Sequence, residues 1–153
     1  MAEPPQSHSD LLERPLFAHL ATVRPDGAPQ SNVMWFVWDD GRIKLTHTKT
    51  RQKLKNFEHE RRVALSIADP QDQYRFLEIR GTVEKIEDDD EKASFYRRLQ
   101  QRYDNVYDIR DAPVRVVVTI RPDVYVAVVD GSPLPQSSAG ASTEGVDGRV
   151  PGR

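Results

Sequence analysis

The chain has 153 residues, of which 37% are hydrophobic and 30% charged, and its 22 Lys and Arg against 24 Asp and Glu leave a formal charge of -2. This balance argues against bulk binding of nucleic acid or of anionic membranes. The lack of cysteine excludes disulfides, thiol nucleophiles and Cys-ligated metals, and fits a cytoplasmic protein. Apolar runs fall far short of the ~18 residues of a membrane-spanning helix, and the four histidines lack metal-binding spacing.

Composition divides the chain into three parts. We expect residues 1–8 to be a flexible N-terminus, residues 9–130 to form one domain, and residues 131–153 to be a disordered tail rich in Gly, Ser and Pro. The tail has neither an aromatic residue nor a periodic apolar face, so it cannot bury enough surface to become ordered. The middle part is long enough to bury a core of its own.

Two Asp-Gly pairs, at positions 26–27 and 40–41, lie between apolar runs near the start of the domain. Such pairs favour tight β-hairpins, because both residues readily adopt the positive φ angles of these turns. They predict a three-stranded meander. Its strands are residues 17–23, 30–38 and 43–46. Because residues 33–38 are apolar on both faces, this strand is expected to be covered on two sides.

The rest of the domain is predicted to alternate helices with strands. A helix over 51–59 has Thr50 as its N-cap, and a second helix opens at the acidic run 88–91, which suits the positive end of a helix dipole. Gly81 predicts a bulge or a close backbone approach, and residues 121–123 predict a turn. Further strands are expected over residues 62–68, 75–86, 114–120 and 124–129. Seven mostly sequential strands indicate a mainly β domain built as a small antiparallel barrel.

The segment 41–57 carries six cations and no acid. Four of them fall where a predicted strand passes into a helix, and the N–H groups of a helix N-terminus favour an anion. These four are Lys49, Arg51, Lys53 and Lys55. Arg51 offers a bidentate fork and Lys53 a point charge, so the junction is a candidate phosphate site. A solvated basic face on a short helix is the simpler alternative.

Other side chains give weaker signals. His47, beside the basic segment, is a candidate proton donor or an ordinary strand-end residue. Trp35 and Trp38 are candidates for stacking on a ligand ring, although aromatic residues in an apolar strand usually belong to the core. Motifs of nucleophilic catalysis and phosphate loops, such as GxSxG, GxGxxG and the P-loop, are absent from the sequence. Neither a catalytic side chain nor a metal site is therefore assigned.

Residues 20–67 read LATVRPDGAPQSNVMWFVWDDGRIKLTHTKTRQKLKNFEHERRVALSI. They resemble the flavin and deazaflavin oxidoreductases of the pyridoxamine 5'-phosphate oxidase-like superfamily. The order of the pieces carries the resemblance: LATxRxDGxPQ, a strand rich in Trp and Val, TxKxRQKxxN, and a strand of RVALSI type. FLEIRGTVEKI and RVVVTIRPDVYVAV match later strands, so the resemblance covers roughly residues 11–129. It is greatest to small probable coenzyme F420-dependent enzymes (FDOR-B type), including biliverdin-reductase-like members.

The resemblance implies a split β-barrel of about seven antiparallel strands with two to three short helices. It also implies a homodimer, with cofactors in grooves between the subunits. The basic residues of TxKxRQK hold the cofactor phosphate in that family, which maps onto Arg51 and Lys53. Residues 30–34 would run along the ring, 46–49 would flank the ribityl chain, and 74–76 would reach in from the partner subunit. The expected cofactor-binding residues are Gln30, Ser31, Asn32, Val33, Met34, Thr46, His47, Thr48, Lys49, Arg51, Lys53, Asn56, Tyr74, Arg75 and Phe76.

The charge of the cofactor helps to decide between FMN and coenzyme F420. FMN ends in one phosphate, whereas coenzyme F420 continues through phospholactate into a chain of glutamates. Cations beyond the Arg51–Lys53 pair favour the longer anion, although salt screens their attraction. These cations are Lys49, Lys55, Arg61 and Arg62. F420 is therefore expected ahead of FMN.

The expected function is that of an F420-dependent reductase, which transfers a hydride from the reduced deazaflavin to a small organic acceptor. An FMN-dependent oxidase or reductase on the same fold is the first alternative. The second is a cofactor-binding or tetrapyrrole-binding protein without turnover, because one fold can host all of these functions. The expected partners are a second copy of the chain and a small-molecule electron acceptor, with neither nucleic acid nor a membrane.

Overall fold

A computed structural model describes residues 2–136, so the part of the predicted tail from 137 to 153 lies outside the described residues. In the described range the fold is mainly β, with eight strands and three α-helices. The strands are β1 (Ala18–Val23), β2 (Pro29–Met34), β3 (Val37–Asp39), β4 (Arg42–Thr48), β5 (Arg62–Asp69), β6 (Asp72–Asp88), β7 (Arg115–Val129) and β8 (Ser132–Pro133). The helices are α1 (Asp10–Glu13), α2 (Gln52–His59) and α3 (Ser94–Arg102). All three are too short and too polar to traverse a lipid bilayer.

The sheet is antiparallel, in the order β2-β1-β5-β6-β7-β4-β3, with β8 paired to the end of β7. The two long strands β6 and β7 pair along most of their length, from Phe76 opposite Val128 to Asp88 opposite Val116. The first half of β6 also pairs with β5, and the first half of β7 with β4. These shared strands join the two halves of a split β-barrel, which confirms the predicted fold class.

The core fills the inside of the barrel with aliphatic side chains from alternate strand positions. Fully buried examples are Leu20, Ile43, Leu45, Leu65, Leu77 and Ile79. Gly81 allows β6 to approach β7, because a Cβ atom there would lie 2.7 Å from the carbonyl oxygen of Arg121. The pairing register shifts between Arg80 and Gly81, so the predicted close approach is confirmed.

The predicted three-stranded meander is wrong. β1 pairs with β2 and β3 pairs with β4, but β4 continues the sheet through β7 instead of β2. The chain leaves strand geometry at Trp35 and Phe36. The backbone N–H of Phe36 donates to the Tyr103 hydroxyl at 3.0 Å, and its carbonyl accepts from Arg102 Nε at 2.9 Å. These side-chain bonds replace the pairing that would have continued β2 to Trp38.

The turn predicted at residues 121–123 is also wrong, because β7 runs without interruption from Arg115 to Val129. Pro122 lies opposite Gly81, at the register shift between β6 and β7. A missing N–H is tolerated at such an irregularity. The two strands predicted on either side of the turn are therefore one long strand.

The helix starts differ from the prediction in detail. α2 begins at Gln52, and its N-cap position is Arg51, not Thr50. α3 begins at Ser94, after the acidic run, but two of the acids still cap it from the preceding loop. The Asp90 carboxylate accepts the Ser94 N–H at 2.9 Å, and the Asp89 carboxylate accepts the N–H groups of the next two residues. The acids therefore bind the start of the helix as predicted, but they do so from the loop that precedes it.

The N-terminal segment packs against the barrel. Residues Gln6–His8 form a 3-10 turn, and the buried His8 has its Nε2 at 3.0 Å from the carbonyl oxygen of Val128. Leu11 and Leu12 of α1 belong to the core. The outer limits of the domain, at residues 8 and 131, stay a prediction.

Candidate functional site

A cleft of about 320 Å³ opens beside the junction of β4 and α2. Seven of the expected cofactor-binding residues line it: Val33, Met34, Thr46, His47, Thr48, Arg51 and Lys53. A cavity of about 360 Å³ lies elsewhere, between the N-terminal segment and β7, but its charged lining residues are Glu3 and Asp123. Because carboxylates repel phosphate, the cleft is the candidate site.

The end of β4 brings three buried polar residues in a row to the cleft, Thr46, His47 and Thr48. Among the described residues, Thr46 Oγ1 and His47 Nε2 are buried without a hydrogen-bond partner. An unsatisfied buried polar atom is costly, so such atoms usually meet a ligand or ordered water. Their position in the cleft leaves both atoms available to hydrogen-bond a ligand.

Arg51 and Lys53 supply two cations without a counter-ion. Within residues 2–136, Arg51 is exposed without a hydrogen-bond or ion-pair partner for its side chain, and the one hydrogen bond of Lys53 Nζ goes to the Met34 sulfur, at 3.0 Å. Burial and the nearby Arg51 charge both lower the pKa of Lys53. Two like charges held together without a carboxylate favour the binding of an anion.

His47 is neutral at physiological pH. Burial, reinforced by the charges of Lys53, Arg51 and Arg115, lowers the pKa of His47 from 6.5 to about 4. A neutral imidazole can donate or accept a hydrogen bond at Nε2, but it cannot supply the proton of an imidazolium. The structure therefore favours a ligand-binding role for His47 over the role of proton donor.

This lowered pKa predicts how stability depends on pH. The unfolded state binds a proton on His47 near pH 6.5, whereas the folded state does so only near pH 4. The free energy of unfolding should therefore fall as the pH drops through that window, by about 2 kcal/mol from His47 alone. Urea unfolding at pH 7 and pH 4.5 tests this, with His47→Gln as the comparison. The variant should lose less stability between the two pH values; an equal loss would contradict the prediction.

Asn56 lies beneath the cleft, not in its lining. It is fully buried and donates from Nδ2 to Thr22 Oγ1 at 3.0 Å and to Gln30 Oε1 at 3.3 Å. Its Oδ1 accepts from Gln52 Nε2 at 3.1 Å, and Gln30 Nε2 donates to Asn32 Oδ1 at 2.9 Å. These bonds fasten the start of α2 to β1 and β2. Asn56 thereby positions the helix that carries Lys53.

The residues expected from the partner subunit lie on the hairpin of β5 and β6, outside the cleft of their own chain. Arg75 pairs with Asp10 at 2.6 Å and with Asp69 at 3.0 Å, which ties the hairpin to α1. Tyr74 is 66% exposed, and Phe76 is half-buried. A contribution of these three residues to a partner's groove stays a prediction.

The surplus of positive charge is smaller than the sequence suggests. Lys49 pairs with Asp88 at 2.8 Å, and Arg62 pairs with Glu60 at 2.8 Å. Arg61 donates to the carbonyl oxygen of Val83 at 3.0 Å. Two of the four cations that favoured the longer anion are thus paired with carboxylates, whereas Arg61 keeps its uncompensated charge. The argument for F420 from charge alone is weakened accordingly.

Four lining residues were not among those predicted for the cofactor: Trp35, Tyr96, Tyr107 and Arg115. Trp35 stacks on Tyr103 with ring centroids 4.9 Å apart and an interplanar angle of 6°. Arg115 lies opposite Thr48 in the pairing of β7 with β4. Of these four residues, the sequence pointed only to Trp35, as a candidate for stacking on a ligand ring. The other three depend on long-range pairing and loop placement.

The cleft fits a ring-bearing cofactor that ends in a phosphate or a longer anion. Arg51 and Lys53 match the anion, the unsatisfied atoms of Thr46 and His47 match a polar chain, and Trp35 offers an aromatic face. A metal ion has no comparable support, since residues 2–136 contain no group of three His, Asp or Glu side chains that could hold one. Arg51 and Lys53 make the cleft a candidate phosphate site.

The chain is similar to proteins of known family and structure. The sequence profile of the pyridoxamine 5'-phosphate oxidase family matches residues 4–128. A solved structure of an F420 reductase is 46% identical, with a TM-score of 0.76 over 79% of this chain and 97% of that one. A search of curated proteins found no match.

More distant structures share the fold. A pyridoxamine 5'-phosphate oxidase homologue from Listeria innocua is 22% identical, with a TM-score of 0.65 over 82% of this chain and 97% of that one. A conserved hypothetical protein from Mycobacterium tuberculosis is 24% identical, with a TM-score of 0.66 over 93% and 95%. The profile match, the F420 reductase and the split barrel together show that the chain belongs to the pyridoxamine 5'-phosphate oxidase-like family of flavin and deazaflavin oxidoreductases.

Proposed function

We propose that the chain is an F420-dependent reductase, which passes a hydride from the reduced deazaflavin to a small organic acceptor. The observation that carries the proposal is the cleft at the β4–α2 junction, where Arg51 and Lys53 have no counter-ion among the described residues. The 46% identity to an F420 reductase supports the deazaflavin as the ligand.

The chain's own residues would bind and orient this cofactor. Arg51 and Lys53 would hold its phosphate by charge-assisted hydrogen bonds. Thr46 and His47 would pair their unsatisfied atoms with the polar chain between phosphate and ring, while Trp35 would shield the ring from water. When bound, the deazaflavin supplies a two-electron hydride carrier. Since the hydride comes from the cofactor, the site needs no nucleophilic side chain.

A second copy of the chain would complete the groove. The outward faces of β1 and β2 carry Ala21, Ser31 and Val33 as exposed residues, with His19 paired opposite Val33. Val33 is 57% exposed and also lines the cleft. A partner that covered this face would therefore close the cleft against solvent, as the homodimer of this proposal requires.

Titration of the purified chain with F420 and with FMN, under the same conditions, tests the proposal. F420 should bind with micromolar affinity and FMN at least about tenfold more weakly, a difference of about 1.4 kcal/mol. The loaded protein should then oxidise reduced F420 with at least one acceptor from a panel of quinones, nitro compounds, enones and tetrapyrroles. F420 binding no tighter than millimolar would overturn the proposal. Tight binding without turnover would instead favour a cofactor carrier.

An FMN-dependent oxidase or reductase is the second candidate. The pairing of Lys49 with Asp88 and of Arg62 with Glu60 favours it, because it leaves Arg51 and Lys53 as the main cations of the cleft. Two cations suffice for a single terminal phosphate. A yellow preparation with the absorbance of oxidised flavin would select this candidate.

A further inference from the structure

One wall of the cleft is made by two tyrosines that the proposed phosphate contacts do not use. Tyr96 lies on α3 and is 6% exposed, whereas Tyr107, in the loop after α3, is 46% exposed. Their hydroxyl groups hydrogen-bond to each other, and both residues line the cleft. We call them the tyrosine pair.

The tyrosine pair is held in place from behind. The Arg115 guanidinium lies 3.7 Å from the centre of the Tyr96 ring. Arg115 Nε donates to Asp111 Oδ1 at 2.9 Å, and Arg115 Nη2 forms an ion pair with Asp111 Oδ2 at 2.9 Å. Arg97 Nη1 donates to the carbonyl oxygen of Tyr107 at 3.0 Å. Because Asp111 neutralises the charge of Arg115, this wall of the cleft does not attract anions by charge, as Arg51 and Lys53 do. It offers the hydroxyl groups of the tyrosine pair instead.

A count of protons shows what the pair can do. Two hydroxyl groups carry two protons, and their mutual bond uses one. The Gln100 side chain also interacts with the Tyr107 hydroxyl, as a donor to its oxygen, so this interaction uses neither hydroxyl proton. The hydrogen bond to Tyr96, together with burial, raises the pKa of Tyr107, so its proton is retained at neutral pH. One neutral O–H donor is therefore available on the cleft side.

The position of the wall suggests which part of a ligand meets this donor. Arg115, which supports the pair, lies opposite Thr48 at the end of β4. The chain reaches Arg51 three residues after Thr48, so the tyrosine pair flanks the anion-binding end of the cleft. FMN terminates at its phosphate and has no further acceptor for this donor. F420 continues beyond its phosphate with carboxylates.

We propose that the tyrosine pair binds a carboxylate that the cofactor carries beyond its phosphate, and so contributes to the choice of F420 over FMN. This inference rests on the proposed function and deepens it. Hydrogen bonds to charged acceptors are stronger than those to neutral ones, so a donor at this position would favour the cofactor that carries a carboxylate there.

Binding measurements with Tyr107→Phe and with the double variant Tyr96→Phe/Tyr107→Phe test the inference. The probes are F420, FMN and a deazaflavin without the phospholactate and glutamate groups. The double variant should bind F420 about tenfold or more weakly, while its affinities for FMN and for the truncated deazaflavin should stay as in the wild type. Val106→Ala is the control, because Val106 is in the same loop, is 58% exposed and does not line the cleft.

The outcomes separate this inference from the proposed function. If the wild type fails to bind F420, both are overturned. If the wild type binds F420 and the double variant binds it equally well, only the role of the tyrosine pair is wrong. An equal loss of affinity for all three probes would also overturn that role, and circular dichroism of the variants shows whether such a loss reflects misfolding.

Discussion

Replacing Arg51 and Lys53 together by alanine should weaken F420 binding by about 100-fold or more, since each charged hydrogen bond contributes about 1.5–3 kcal/mol. The two side chains have no counter-ion among residues 2–136, so their removal breaks no ion pair and should leave the fold intact. Isothermal titration calorimetry of the wild type and the variant measures the loss. FMN binding should weaken as well, because the same cations would hold its phosphate.

The matched control removes two cations from elsewhere on the surface. Arg24 and Lys92 are exposed and do not line the cleft, so Arg24→Ala with Lys92→Ala changes the net charge equally and should change affinity little. Added salt should weaken binding to the wild type more than binding to the Arg51 and Lys53 variant, because salt screens the charges that the variant lacks. Unchanged affinity in that variant would place the phosphate site elsewhere.

The second large effect is expected at Arg102, at the end of α3. Its guanidinium donates to four backbone carbonyl oxygens, those of Leu12, Glu13, Arg14 and Phe36, at 2.8–3.2 Å. Arg102→Ala should lower the free energy of unfolding by about 3 kcal/mol, because it leaves partly buried carbonyls without donors. Urea denaturation measures this loss.

Arg98→Ala is the comparison for this prediction, because it lies on the same helix. Arg98 is half-exposed, and its ion pair with Asp39 lies on the surface, so its removal should cost less than about 1 kcal/mol. If Arg102→Ala proved no more destabilising than Arg98→Ala, the carbonyl contacts would not stabilise the fold as argued. In Arg102→Ala, the tryptophan fluorescence should change less on unfolding than it does in the wild type. Such a difference would show that Trp35, next to Phe36, had lost its fixed position.

Features encoded locally could be predicted from the sequence. The hairpin at Asp40-Gly41 forms with φ angles of 50° and 73°, as an Asp-Gly turn requires. Gly81 marks the close approach of two strands. The segment with most of the clustered cations does line the cleft through Arg51 and Lys53. In each case a short run of residues determines the outcome by its own conformational or electrostatic preference.

Features that depend on distant partners could not be predicted. The break after β2 exists because Arg102 and Tyr103, far along the chain, bind the backbone of Phe36. Asn56 matched a family motif, yet its side chain faces β1 and β2 because Thr22 and Gln30 bind it there. Such contacts depend on tertiary packing, which leaves no periodic trace in the sequence.

The end of α3 has a consequence for the shape of the cleft. Tyr103 follows the last residue of α3 and stacks on Trp35, while Tyr96 on the same helix bonds to Tyr107. A single helix of nine residues therefore connects two aromatic walls of the cleft, one formed by Trp35 and the other by the tyrosine pair. A shift of this helix would carry both walls in the same direction, so the width of the cleft would be kept even when its position changed.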